Sequence, residues 1–123
     1  MPESHNLPMA KGRPKRSVAD REMMKLIGQR LRWAREALGL SQEEVARRVG
    51  VHQTAWSLYE RGLRMPDQFE VPRLAAKLQI SLPYILGGGL QGVERELAIR
   101  LAARHPELVE NTSKADRTGT ALS

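Results

Sequence analysis

Between Ser41 and Gly62 the chain reads SQEEVARRVGVHQTAWSLYERG. Ser41 and Glu44 form an S-x-x-E capping box, which opens a helix by satisfying two orphan amides at once. Val45, Ala46 and Val49 follow on one face of that helix. Gly50 ends it, because glycine accepts the positive φ of a sharp turn. A second short helix then runs from about Gln53 to Arg61 and stops at Gly62. Two helices this short and this tightly joined bury their apolar faces only against each other and against further helices. That requirement sets the rest of the chain.

The flanking segments supply those helices. Ser17 with Asp20 marks a helix start. Met24, Ile27, Leu31, Ala34 and Leu38 then recur at spacings of three and four, and Gly39 ends the run. Leu63 to Gln68, with Pro66, reads as a loop. Phe69, Leu74, Ala75 and Leu78 outline a fourth helix, with Pro72 tolerable only in its first turn. Ser81 caps a short fifth helix through Leu86, broken by Gly87, Gly88 and Gly89. Val93, Leu97 and Leu101 give a narrow stripe on a sixth helix, ending near Pro106. No segment alternates as a strand does, and no internal repeat is evident. The expected fold is all-α: a compact five-helix domain over 17–89, a C-terminal helix over 90–110, and disordered ends over 1–16 and 111–123. The stripe on 90–110 packs either on the domain or on a second subunit.

Composition narrows the chemistry. The sequence holds no cysteine, which excludes disulfides, thiolate metal sites and a cysteine nucleophile. His5, His52 and His105 stand far apart without ligand spacing. Neither a metal nor a cofactor is expected. No phosphate loop or paired-carboxylate cleft is visible, and no enzymatic role is expected. The N-terminus lacks a long apolar run, so no signal peptide, membrane span or membrane partner is expected, and a cytoplasmic location is the default. The formal net charge is +6, which favours a polyanionic partner. From Gln91 onward five basic and five acidic residues cancel, so the excess lies toward the N-terminus.

The segment from Gln53 to Arg61 carries a more specific signal. Trp56 and Tyr59 are three residues apart and share a side. With Val45, Ala46, Val49, Val51, Trp56 and Tyr59 inward, Gln53, Thr54, Ser57, Leu58 and Arg61 face outward. Lys and Glu are commoner on merely solvated faces. Gln, Ser and Thr can instead bond to base edges. Leu58 is suited to a thymine methyl, or is simply an exposed leucine.

The stretch IGQRLRWAREALGLSQEEVARRVGVHQTAWSLYERG, with PRLAAKLQISLPYIL after it, resembles the phage-repressor or Cro-type helix-turn-helix family. The resemblance covers about half the chain, Ile27 to Gly88. It implies a sequence-specific transcriptional regulator of double-stranded DNA. It also implies that Gln42 meets a phosphate through side chain and backbone N–H, while Gln53 and Thr54 enter the major groove. Ser57 and Leu58 would follow deeper along the groove, and Arg61 and Arg64 would approach the backbone. Arg35 and Glu60 match a pair that many members join by an ion pair.

Two residues depart from the family pattern. His52 stands where Ser or Thr usually caps the second helix; it either contacts phosphate or merely sits in the turn. Trp56 stands where Ile or Val is usual and needs a larger hole, which Ala34 and Ala55 are suited to leave. The arm KGRPKR, with Lys11, Arg13, Lys15 and Arg16, looks like an AT-hook core for the minor groove, or else a generic basic arm that holds phosphates. The 34 residues after Gly89 are expected to hold no peptidase core of the kind that self-cleaving phage repressors carry. A homodimer on a palindromic operator is expected, because a dimer reads two half-sites about 34 Å apart. The alternatives are an antitoxin-like autoregulator whose 90–123 segment binds a protein partner, and a nucleic-acid binder without sequence preference.

Overall fold

The computed structural model describes residues 16–122, with side chains through residue 115. The described residues form seven helices and no strand. The long helix α1, Val18–Ala37, is the spine. Ser17 caps it, its hydroxyl accepting from the Asp20 amide at 3.0 Å. Met24, Ile27, Leu31, Ala34 and Ala37 form its buried face. Helix α2, Gln42–Val49, opens on the full capping box: Ser41 Oγ accepts from the Glu44 amide, and Glu44 accepts from the Ser41 amide. Gly50 turns the chain at φ 81°, and the carbonyl of Ala46 accepts from both Gly50 and Val51. Helix α3, Gln53–Glu60, follows at once. It packs against α1 and α2, and α2 also packs on α4.

Helix α4 is Glu70–Leu78. Asp67 starts it: its carboxylate accepts from the Phe69 and Glu70 amides, while Glu70 accepts from the Asp67 amide. This places Phe69 in the turn before the helix, where it is 77% exposed. The sequence pattern had put Phe69 on the buried face; Val71 packs against the core instead. Helix α5, Leu82–Gly87, is capped by Ser81 and stopped at Gly88, φ 72°. Tyr84 on α5 is wholly buried, and its hydroxyl donates to the Arg30 carbonyl of α1. Burial pushes its phenol well above the usual range.

Helices α6, Arg95–Arg104, and α7, Glu107–Leu122, complete the chain. Leu97 and Leu101 of α6 are buried within the chain, and α6 packs on α1. The expectation of a disordered tail over 111–123 is corrected here, because the helix runs on to Leu122. The sixth helix ends ahead of Pro106, as its stripe suggested; Pro106 lies in the turn after it, and the chain becomes helical again at Glu107. Leu108 is buried beside Leu97 and Leu101. Polar residues of α7 then serve the turn after α5. Thr112 Oγ1 accepts from the Leu90 amide and donates to the Leu108 carbonyl, both at 2.7 Å, and Asn111 donates to the Gly88 carbonyl. Trp33 of α1 stacks on His105 at the α6–α7 junction, with ring centroids 3.7 Å apart.

Candidate nucleic-acid interface

Helix α3 is fastened on its inner side by two aromatic residues. Trp56 and Tyr59 are essentially unexposed and meet edge to face, with centroids 6.0 Å apart. Each also spends its polar atom. Trp56 Nε1 donates to Glu60 Oε2 at 2.5 Å, and the Tyr59 hydroxyl donates to Glu70 Oε1 at 2.9 Å. Buried Trp and Tyr need such partners, because an unpaired N–H or O–H is costly away from water. Burial, with the Glu70 bond, pushes the Tyr59 phenol up to about 12.

Glu60 is the centre of a small network. Arg35 Nε and Nη2 donate to its two oxygens at 2.5 and 3.1 Å, and Gln42 Nε2 donates to Oε1 at 3.0 Å. The Arg35 and Glu60 side chains are 14% and 4% exposed. Arg35 also donates to the Leu40 carbonyl at the end of α1's trailing turn. Burial alone would raise the Glu60 carboxyl. The hydrogen bonds from Arg35, Gln42 and Trp56, with the Arg35 charge, outweigh it and hold the group below the ordinary carboxylate range. One carboxylate therefore ties α1, the start of α2 and the end of α3 together.

α1 and α3 approach closely at Gly28, a residue the sequence reading passed over. A Cβ at Gly28 would lie 2.4 Å from the Tyr59 carbonyl oxygen and 2.6 Å from that of Glu60. Next to it, Gly62 turns the chain at φ 71° with its Cα against the Lys25 backbone. The available signal was a glycine inside an otherwise regular helix, which costs about 1 kcal/mol relative to alanine and so needs a packing reason.

On the outer side, His52, Gln53, Thr54, Arg61 and Arg64 are exposed, whereas Ser57 and Leu58 are half-buried. His52 takes the N-cap position with φ −71° and ψ 147°, yet its side chain makes no capping bond. Arg61 Nε reaches back to the Ser57 carbonyl at 3.4 Å. Gln42 is half-buried, one amide hydrogen engaged by Glu60. Arg16 is exposed; together with Arg21, Met24, Gly62 and Leu63 it lines a shallow hollow, so α1 begins beside the end of α3. Lys11, Arg13 and Lys15 lie outside the described residues. Among the described residues no cluster of His, Cys, Asp or Glu could hold a metal ion, and no helix is long and apolar enough to cross a membrane.

Comparison with known proteins meets this geometry. A family model described as a helix-turn-helix domain matches residues 26–83, which span α1 from Leu26 onward, α2, the Gly50 turn, α3, all of α4 and the first two residues of α5. The chain is similar to the HTH-type transcriptional regulator ImmR of Bacillus subtilis, 34% identical over 61 residues, which are 50% of this chain and 48% of that protein. It is also similar to the cryptic phage CTXphi transcriptional repressor RstR of Vibrio cholerae, 29% identical over 89 residues, 72% of this chain and 79% of that one. The chain thus spans about half of the first relative and four-fifths of the second. Residues 26–83 form a helix-turn-helix domain, and over that domain the chain is similar to a transcriptional regulator and to a phage transcriptional repressor.

Proposed function

We propose that the chain regulates transcription by reading a specific duplex site, with α3 in the major groove. The observation that carries this is the division of α3 into two sides. Its inner side is tied to α1, α2 and α4 by Trp56, Tyr59 and Glu60, while Gln53 and Thr54 stand exposed at its N-terminal end. A helix held this firmly presents its side chains in one register, which base readout demands.

In this reading Gln53 and Thr54 contact base edges, and Ser57 and Leu58 lie deeper along the same groove. Gln42 offers its backbone N–H and its second amide hydrogen to a phosphate, the first being held by Glu60. Arg61, Arg64 and Arg16, with Lys11, Arg13 and Lys15 of the arm, neutralise phosphates. His52, uncapped and exposed, stands where a phosphate would pass. The protein works in the cytoplasm as a homodimer on a palindrome. The reading assigns it no catalytic step and no cofactor.

The antitoxin-like alternative assigns a protein partner to 90–123. Against it stands the burial of Leu97, Leu101 and Leu108 inside the chain itself. Selection of bound sites from random duplex DNA tests the reading. Enrichment of a palindrome with half-sites about 34 Å apart is expected. Binding without enrichment of any motif overturns it. Enrichment of an unpaired half-site overturns the homodimer. Co-purification of a stoichiometric protein bound through 90–123 favours the alternative.

A further inference from the structure

Between α1, α4 and α5 lies a cavity of about 160 Å³ that the DNA-reading surface does not use. Ile27, Leu31, Leu74 and Ile85 form its floor, each less than a tenth exposed. Met65 and Val71 stand half-buried at its mouth. Its walls carry no hydrogen-bonding side chain. We propose that this cavity is a binding site for a small uncharged apolar molecule of about one aromatic ring, and that its occupancy tunes DNA binding.

Size and wall chemistry fix the ligand class. Drug-sized ligands occupy roughly 300–1,000 Å³, so a larger molecule does not fit. An apolar cavity of about 150 Å³ stays dry and takes benzene or xenon, because water needs polar partners there. A charged or strongly polar guest would lose its hydration without recovering hydrogen bonds. A second copy of the chain could insert only one side chain here, far less surface than a stable dimer buries.

Position supplies the regulatory half, which rests on the DNA-binding reading. Met65 belongs to the connection from Gly62 to Phe69, which leaves directly from the end of α3. The floor residues Ile27 and Leu31 lie on the same helix as Gly28, where α1 meets α3. A guest that props the mouth open therefore bears on both supports of the reading helix.

The test is methyl NMR of the full chain titrated with benzene. Saturable shifts are expected at Ile27, Leu31, Val71, Leu74 and Ile85, with a dissociation constant on the order of millimolar or tighter. Val45 and Leu97 should not move. Val71→Phe, at the half-buried mouth, should abolish the shifts; xenon binding to the wild-type chain, read at the same methyls, gives a readout independent of that variant's folding. The site is overturned by the absence of saturable shifts for both benzene and xenon. It is also overturned by equal shifts in a folded Val71→Phe protein, or by methyls that move with protein concentration alone, which would put a second copy in the cavity. Saturating benzene should change affinity for a selected duplex at least about 5-fold. Full occupancy with unchanged affinity overturns the regulatory half. Failure to bind DNA even without benzene counts against the DNA reading and leaves the methyl result to judge the site.

Discussion

Glu60 accepts from four donor atoms on three residues, and this sets the cost of disturbing it. Arg35→Ala leaves a buried carboxylate without its counter-charge, which should destabilise the fold by about 3–5 kcal/mol in urea titration. A cost under about 1 kcal/mol would mean that the pair behaves as a surface ion pair. The pH dependence follows from the lowered carboxyl. A group whose folded pKa lies below its unfolded value adds stability above the unfolded pKa and loses it as pH falls through the folded one. Stability should therefore drop on acidification through and below the usual carboxylate range near pH 4. Glu60→Gln should flatten that part of the curve. Gln53 lies outside this network and is exposed. Gln53→Ala should thus leave the melting curve in place and lose about 1–3 kcal/mol of discrimination at one base step. Uniformly weaker binding to every sequence would remove Gln53 from base readout.

At the scale of the element, the capping chemistry of α1, α2 and α5 was legible in the residues themselves, because Ser17, Ser41 and Ser81 act on amides three positions away. Local chemistry is written locally. The crossing of α1 and α3 was not legible, because it depends on Gly28 meeting carbonyls more than thirty residues later. Gly28→Ala tests that crossing. In a free helix the change would stabilise by about 1 kcal/mol. Here the new Cβ meets backbone oxygen, which cannot rotate away, so a net loss of about 1–3 kcal/mol is expected. A rise in urea midpoint would show that the helices do not touch there. His52 gives the opposite sign. Its side chain makes no capping bond at the start of α3, so His52→Ser should raise stability by about 1 kcal/mol. If His52 also holds a phosphate, the same variant binds DNA more weakly while its preferred site is unchanged.

For the whole molecule, the polarity of residues 111–115 hid their role, since Asn111 and Thr112 bond to the backbone after α5. A polar side chain that satisfies a distant carbonyl looks, in sequence, like one that faces solvent. Phe69 misled in the other direction, because Asp67 starts α4 and leaves the ring outside. The distribution of charge, by contrast, needs no fold to be read. Residues 1–16 carry Lys11, Arg13, Lys15 and Arg16 against Glu3, so removing them takes the net charge from +6 to +3. The cut spares Ser17 and its cap, so the folded domain should survive it. Arg16 leads into α1 beside Gly62, just past the end of α3, which under the proposed function sets the root of the arm near the duplex. Each phosphate that the arm neutralises contributes about −0.9 to the slope of log K against log salt. Deletion of 1–16 should make that slope shallower by up to about 0.9 for each of the four lost cations. The selected site should stay the same, because Gln53 and Thr54 remain in place. An unchanged slope would show that the arm stays off the DNA, and a changed site would show that it reads bases in the minor groove as well as holding phosphates.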